Sequence, residues 1–183
     1  MALRIDTSFT EDKFALNFST IGKFSGPAPE SEATNARAAG TQLEAGDAAI
    51  ISYQEDGDTT WAIVLLTDII AGTEISFTDN GWRASGGFNP SESEGQTFTA
   101  GSGLAAGTVV IFKENGPGFD ATLVDGVTSA GTVTGDRLGL SSAGDQIIMY
   151  QGGFDTVTGD LDPDAQLISA YHANGAWDAD AVD

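Results

Sequence analysis

Apolar residues in this chain recur at every second position in short runs, and no segment of ten residues carries a helical stripe. Period two sends alternate side chains to opposite faces of an extended strand, whereas a helix needs apolar positions three and four apart. That pattern confines the chain to an all-β fold of short strands and tight turns. The stretch from Trp61 to Trp82, WAIVLLTDIIAGTEISFTDNGW, is its densest instance. Trp61 to Leu66 is nearly all apolar, as for a central strand covered on both faces. Ala71-Gly72 turns the chain, and Glu74 to Thr78 alternates with Ile75 and Phe77 inward. Asp79-Asn80-Gly81 closes the unit, because Asn-Gly tolerates positive φ.

The same reading predicts strands over Ala48 to Gln54, Thr97 to Thr99, Val109 to Lys113, Gln146 to Tyr150 and Leu167 to Tyr171. Residues 83–96 form a loop rich in Gly, Ser and Glu, with Trp82 and Phe88 as anchors, and residues 117–142 are mixed and turn-rich. Two internal echoes occur. Ala45-Gly46-Asp47 is repeated loosely at Ala143-Gly144-Asp145, and Ala71 to Gly81 aligns without a gap on Ala106 to Gly116. Two copies are too few for a solenoid. Either similar strands occupy pseudo-equivalent positions, or the segments share turn chemistry.

Residues 1–24 alternate as well. Leu3, Ile5 and Phe9 fall on odd positions and Phe14, Leu16 and Phe18 on even ones, so a turn or bulge lies across Thr10 to Lys13. Gly26-Pro27-Ala28-Pro29 forbids regular structure. The expected organisation is an N-terminal β arm over 1–24, a linker over 25–45 and a β-sandwich module over 46–183. Such strands either join the local sheet or pair with the open edge of a neighbouring subunit.

Charge narrows the partners. The 183 residues hold 7 Lys and Arg against 27 Asp and Glu, a formal charge of −20. Nucleic acid and anionic membranes are bound by cations, so both are excluded as partners. The balance suits solubility, divalent cations or a basic partner. Without cysteine there is neither a disulfide nor a thiolate metal site. The first residues hold no apolar signal core, and no run of 18 apolar residues exists to span a membrane.

The best metal candidate is the loop Asp160-Leu161-Asp162-Pro163-Asp164, whose alternate carboxylates could gather around Ca²⁺, with Asp155 and Gly159 shaping the loop. It lacks the EF-hand glycine, and a solvated acidic loop is the competing reading. Asp56 and Asp58 form a weaker candidate that a hairpin turn explains equally well. Catalysis has little support. His172 is the single histidine, no G-x-S-x-G elbow occurs, and Gly86-Gly87 and Gly101-Ser102-Gly103 lack the strand-to-helix context of a phosphate loop. No catalytic residue is assigned and no enzyme is expected, although 27 acids leave carboxylate pairs open. Trp61, Trp82 and Trp177 serve either a sugar platform or core and rim packing.

Several segments together resemble a known module. Gly46-Asp47, Trp61 to Ile69, Ala71-Gly72-Thr73 and Phe77-Thr78-Asp79-Asn80-Gly81-Trp82 are similar to an acidic β-module of bacterial secreted and cell-surface proteins. Leu104 to Thr108, Ser142 to Ile147 and Gly175-Ala176-Trp177-Asp178 continue the same order. The resemblance covers residues 46–178 and is most specific at Phe77 to Trp82. It implies an Ig-like, lamin-tail-like antiparallel sandwich that is not itself an enzyme. Modules of this kind run on past the Trp-Asp pair, so either the chain is a fragment or another segment supplies a last strand. The expected function is therefore an extracellular structural or assembly module of a surface or filament protein. Its subunits would join by N-terminal strand exchange into a homo-oligomer or polymer. The alternatives are a Ca²⁺-dependent adhesion module for a glycan or surface protein, and a virion decoration protein.

Overall fold

A computed structural model describes residues 40–55, 57–90, 95–140 and 145–173. Within them lie nine strands: β1 (Ala48–Gln54), β2 (Thr60–Leu65), β3 (Glu74–Thr78), β4 (Gln96–Ala100), β5 (Val109–Asn115), β6 (Gly118–Leu123), β7 (Ser129–Gly135), β8 (Gln146–Gln151) and β9 (Gln166–His172). All pair antiparallel in one sheet of order β1-β2-β5-β6-β7-β4-β3-β8-β9. The first and last strands lie side by side: the Gly46 amide donates to the Ile168 carbonyl at 2.9 Å, and the rings of Tyr53 and Tyr171 stand 6.0 Å apart. The sheet is thus a nearly closed barrel.

Strand direction alternates across the sheet, so with nine strands β1 and β9 run the same way. The seam between them can close only as a parallel pair, while every other junction is antiparallel. Both edge pairings are irregular too, with a bulge at Ile50/Ser52 in β1 and another at Met149/Tyr150 where β8 meets β9. Bulges twist an edge and interrupt its pairing.

The barrel interior follows from alternation. Trp61, Ile63 and Leu65 of β2 meet Phe77, Phe98, Val110, Phe112, Ile147 and Met149, all buried in one cluster. Trp61 stacks on Phe112 with centroids 5.1 Å apart and planes 15° from parallel, and Phe98 meets the same ring edge-on at 5.6 Å. Each such side chain contributes about 1.5–3 kcal/mol by leaving water. A second cluster lies outside the barrel: Ile148 and Tyr150 of β8 are covered by Phe88, Trp82, Phe154, Leu161 and Leu167. Phe88 packs edge-on against Trp82 at 5.4 Å and Phe154 at 4.8 Å, so it anchors its loop as expected. In consequence β8 is buried on both faces.

Three tight turns open strands in one way. In Glu44–Asp47, Ile70–Thr73 and Ala105–Thr108 the fourth residue's amide donates to the first residue's carbonyl, at 3.1, 3.2 and 3.1 Å. The third residue of each is glycine, at φ 92°, 82° and 85°. That is the type II arrangement, which demands positive φ at this position. The echo at Ala71 and Ala106 is therefore shared turn chemistry: β3 and β5 sit far apart in the sheet.

Residues 117–142 hold β6 and β7, which sequence reading leaves unassigned. Their inward positions carry small side chains such as Ala121 and Ala130, so period two is present with little apolar contrast. Residues 40–45, expected in the linker, lie on the barrel instead. Leu43 is wholly buried in the main cluster, and the Thr41 amide donates to Thr73 Oγ1 at 2.9 Å. The arm residues Leu3, Ile5, Phe9, Phe14, Leu16 and Phe18 lie outside the described residues, as do Asp56 and Trp177.

Candidate functional site

The aspartates of the expected Ca²⁺ loop divide among three tasks. Asp155 builds a turn: its Oδ1 accepts from the amides of Val157 at 2.7 Å and Thr158 at 3.2 Å, and its carbonyl accepts from Gly159. Asp160 pairs with Arg83 at 3.3 Å. Asp162 and Asp164 line a cleft of about 340 Å³ with Glu74, Ser76, Thr97 and Gln151. Asp58 pairs with Lys113 at 3.3 Å. Among the described residues, no three of His, Asp and Glu stand close enough to hold a metal ion together.

The cleft is built around one buried glutamine. Gln151 Oε1 accepts from the Leu43 amide at 2.8 Å, and its Nε2 donates to the carbonyls of Thr41 at 3.0 Å and Glu74 at 2.8 Å. One side chain thus sutures residues 41–43 to β3 and satisfies three backbone groups. Ser76 and Thr97 share a hydroxyl bond of 3.0 Å on the cleft wall. Beside them Tyr150 is pushed up from 10.0 to about 12 by burial, against the lowering effect of its bond to Ser76. Such a lining of carboxylates and hydroxyls can engage donor-rich ligands.

A second concavity follows the edge of β9. Ala45, Trp82, Ile148, Leu167, Ile168 and Ala170 line an apolar groove of about 360 Å³. It opens beside the seam, where no ladder joins β1 to β9 among the described residues. Unpaired strand edges expose rows of backbone donors and acceptors and invite another strand.

The rim at the ends of β1, β3 and β9 is polar and buried. Asp79 and Asp145 follow the inward phase of Ile75-Phe77 and Ile147-Met149, and both are almost entirely buried. The Gly139 amide donates to Asp79 Oδ2, and Gln146 Nε2 donates to the Asp79 carbonyl at 3.1 Å. Burial first, then the charges of Asp145 and Glu55, push the Tyr53 hydroxyl from 10.0 to about 12, with Tyr171 and Asp79 adding less. Arg137 bridges to Glu114 at 2.9 Å and to Thr59 Oγ1 at 3.3 Å. His172 closes β9 opposite Gln146. Sequence reading treated Asp79 only as a turn residue. The signal that could have found both carboxylates is strand phase, which continues the inward alternation through them.

No family model matches this sequence, and neither a curated protein nor a solved structure matches it.

Proposed function

We propose that this chain is a non-enzymatic structural module of an extracellular or cell-surface assembly, whose copies join by adding an N-terminal strand of one to the open seam of the next. The observation that carries the reading is the parity of the barrel: β1 and β9 run the same way with no ladder between them. A tenth strand running against both would be antiparallel to each neighbour, and would replace the backbone bond from Gly46 to Ile168 at the seam. The antiparallel ladder is the more stable pairing per residue. Strand addition of this kind takes affinity from main-chain bonds and specificity from alternate side chains.

Charge selects the donor. Residues 40–183 hold only Arg83, Lys113 and Arg137 against 22 acids, so two barrels repel. Residues 1–24 carry Arg4, Lys13 and Lys23 against Asp6, Glu11 and Asp12, a balanced set with six large alternating apolar residues. The apolar groove beside β9 suits such a segment. The module is of the Ig-like, lamin-tail-like sandwich type with an extended arm, a type in keeping with the all-antiparallel pairing. Deleting residues 1–24 is expected to leave a folded monomer, seen as unchanged far-ultraviolet dichroism with the light-scattering mass of one chain. An oligomer that survives the deletion would sink the idea, as would a full-length chain that is monomeric at every concentration.

The cleft favours a second reading. Glu74, Asp162 and Asp164 line one concavity without converging on a single ion, so a Ca²⁺ there would take its remaining oxygens from a bound glycan or surface protein. Calorimetric titration with Ca²⁺ is expected to give heat that disappears in Asp162→Asn/Asp164→Asn. Absence of heat in the parent protein removes this reading and leaves the first intact.

A further inference from the structure

Register places the ends of β2, β4, β6 and β8, with the starts of β3, β5 and β7, on one rim of the barrel. Four large aliphatic side chains stand in water there: Leu66 and Ile70, 57% exposed each, Val124 at 71% and Val127 at 85%. Leu66 and Ile70 flank the connection from β2 to β3, and the two valines form the tip of the β6–β7 hairpin.

The hairpin tip does not need its valines. Asp125 Oδ1 accepts from the amides of Val127 at 2.9 Å and Thr128 at 2.8 Å, and its Oδ2 accepts from the Thr128 hydroxyl. Gly126 supplies the positive φ of 68°, and the Leu123 amide donates to the Thr128 carbonyl at 2.8 Å. Asp, Gly and Thr therefore build the turn, in keeping with general turn chemistry. Val124 and Val127 are presented on an already ordered loop, so a partner that covers them immobilises little. Leu66 and Ile70 are held equally well, because Asp68 Oδ1 accepts from the Ala106 amide at 2.8 Å and the Ile70 amide donates to Thr41 Oγ1 at 3.0 Å.

The charge around these side chains has one sign. Asp68, Glu74 and Asp125 are exposed on this rim. The three described cations, Arg83, Lys113 and Arg137, lie toward the opposite rim or on the outer face, each paired with a carboxylate. We propose that this rim is a docking surface for a protein partner with an apolar centre and a basic border, Val124 and Val127 being the central anchors. Another copy of the barrel, being strongly acidic, does not fit it, nor does an anionic bilayer. The proposal is independent of the seam, which lies between β1 and β9.

The test uses the full chain and a synthetic amphipathic leucine–lysine helix as probe, followed by calorimetry at two salt concentrations. The expected result is saturable binding that weakens with salt and falls at least about tenfold in Val124→Ser/Val127→Ser. Ile51→Ser, which removes an exposed aliphatic in the middle of β1 without changing net charge, is expected to bind like the parent. Equal affinity in the hairpin variant, or equal loss in the control, would overturn the proposal, since binding would then be charge alone. Binding to phosphatidylcholine vesicles that depends on the same valines would overturn it in favour of a membrane surface. Thermal melts of each variant separate these outcomes from misfolding.

Discussion

The two rims of the barrel are closed by different chemistry. One carries Gly72 and Gly107 in turns closed by backbone bonds, a buried glutamine and exposed aliphatic side chains. The other buries Asp79, Asp145 and Gln146 and ties Thr59 to Glu114 and Arg137. On the first rim backbone turns and a few fixed polar side chains such as Asp68 and Asp125 hold the chain, which leaves the aliphatic tips free to face outward and serve recognition. Where side chains must satisfy buried backbone groups, they are held for stability and cannot be spared. The first rim should therefore tolerate change at its tips, and the second should resist it.

The largest effect expected is at the point where the first rim departs from its own pattern. Leu43→Ala should destabilise the barrel by about 3 kcal/mol, because the side chain is wholly buried in the main cluster; urea unfolding measures it. Removing polar sutures comes next. Gln151→Ala on the first rim and Asp79→Ala on the second should each cost about 2 kcal/mol, the former by stranding the Leu43 amide and two carbonyls, the latter by stranding the Gly139 amide. A near-neutral result at Asp79 would break the contrast between the rims.

A pH-confined effect follows from the tyrosines. Tyr53 and Tyr150 are both raised from 10.0 to about 12 in the folded chain, so their neutral forms are favoured there. The stability they contribute is complete below pH 10 and is lost as pH climbs toward about 12. Alkaline melts of Tyr150→Phe should lose less stability across that window than the parent. Smaller still, Gly72→Ala places a side chain at φ 82° and should cost about 1–2 kcal/mol locally, without altering the opposite rim. Val124→Ser/Val127→Ser should shift stability by no more than about 0.5 kcal/mol, as exposed tips do.

Much of the ladder was legible. β1 and β3 fall on their expected residues, and β2, β5, β8 and β9 differ by one or two at their ends, because alternating Ile, Val, Phe and Trp write their phase plainly. β6 and β7 were not, since Gly118, Ala121, Ala130 and Gly131 dilute the contrast on which period-two reading depends. The seam was out of reach for another reason: it depends on a strand count and a sheet order that no local window contains. Gln151 was missed because its three partners lie 77 to 110 residues away in sequence. The acidic loop was found as a composition, but its geometry was not, because the pairing of Asp160 with Arg83 spans 77 residues.

Trp61 sits at the centre of the interior with its indole Nε1 buried and without a hydrogen-bond partner among the described residues. An indole in so apolar and rigid a setting emits at short wavelength, while half-buried Trp82 on the outer face should emit further to the red. With Trp177 replaced by Phe, the intrinsic fluorescence of the chain therefore carries two colours that report on two places. A spectrum that reddens at its blue edge signals water entering the barrel. One that changes only at its red edge signals something seated in the groove.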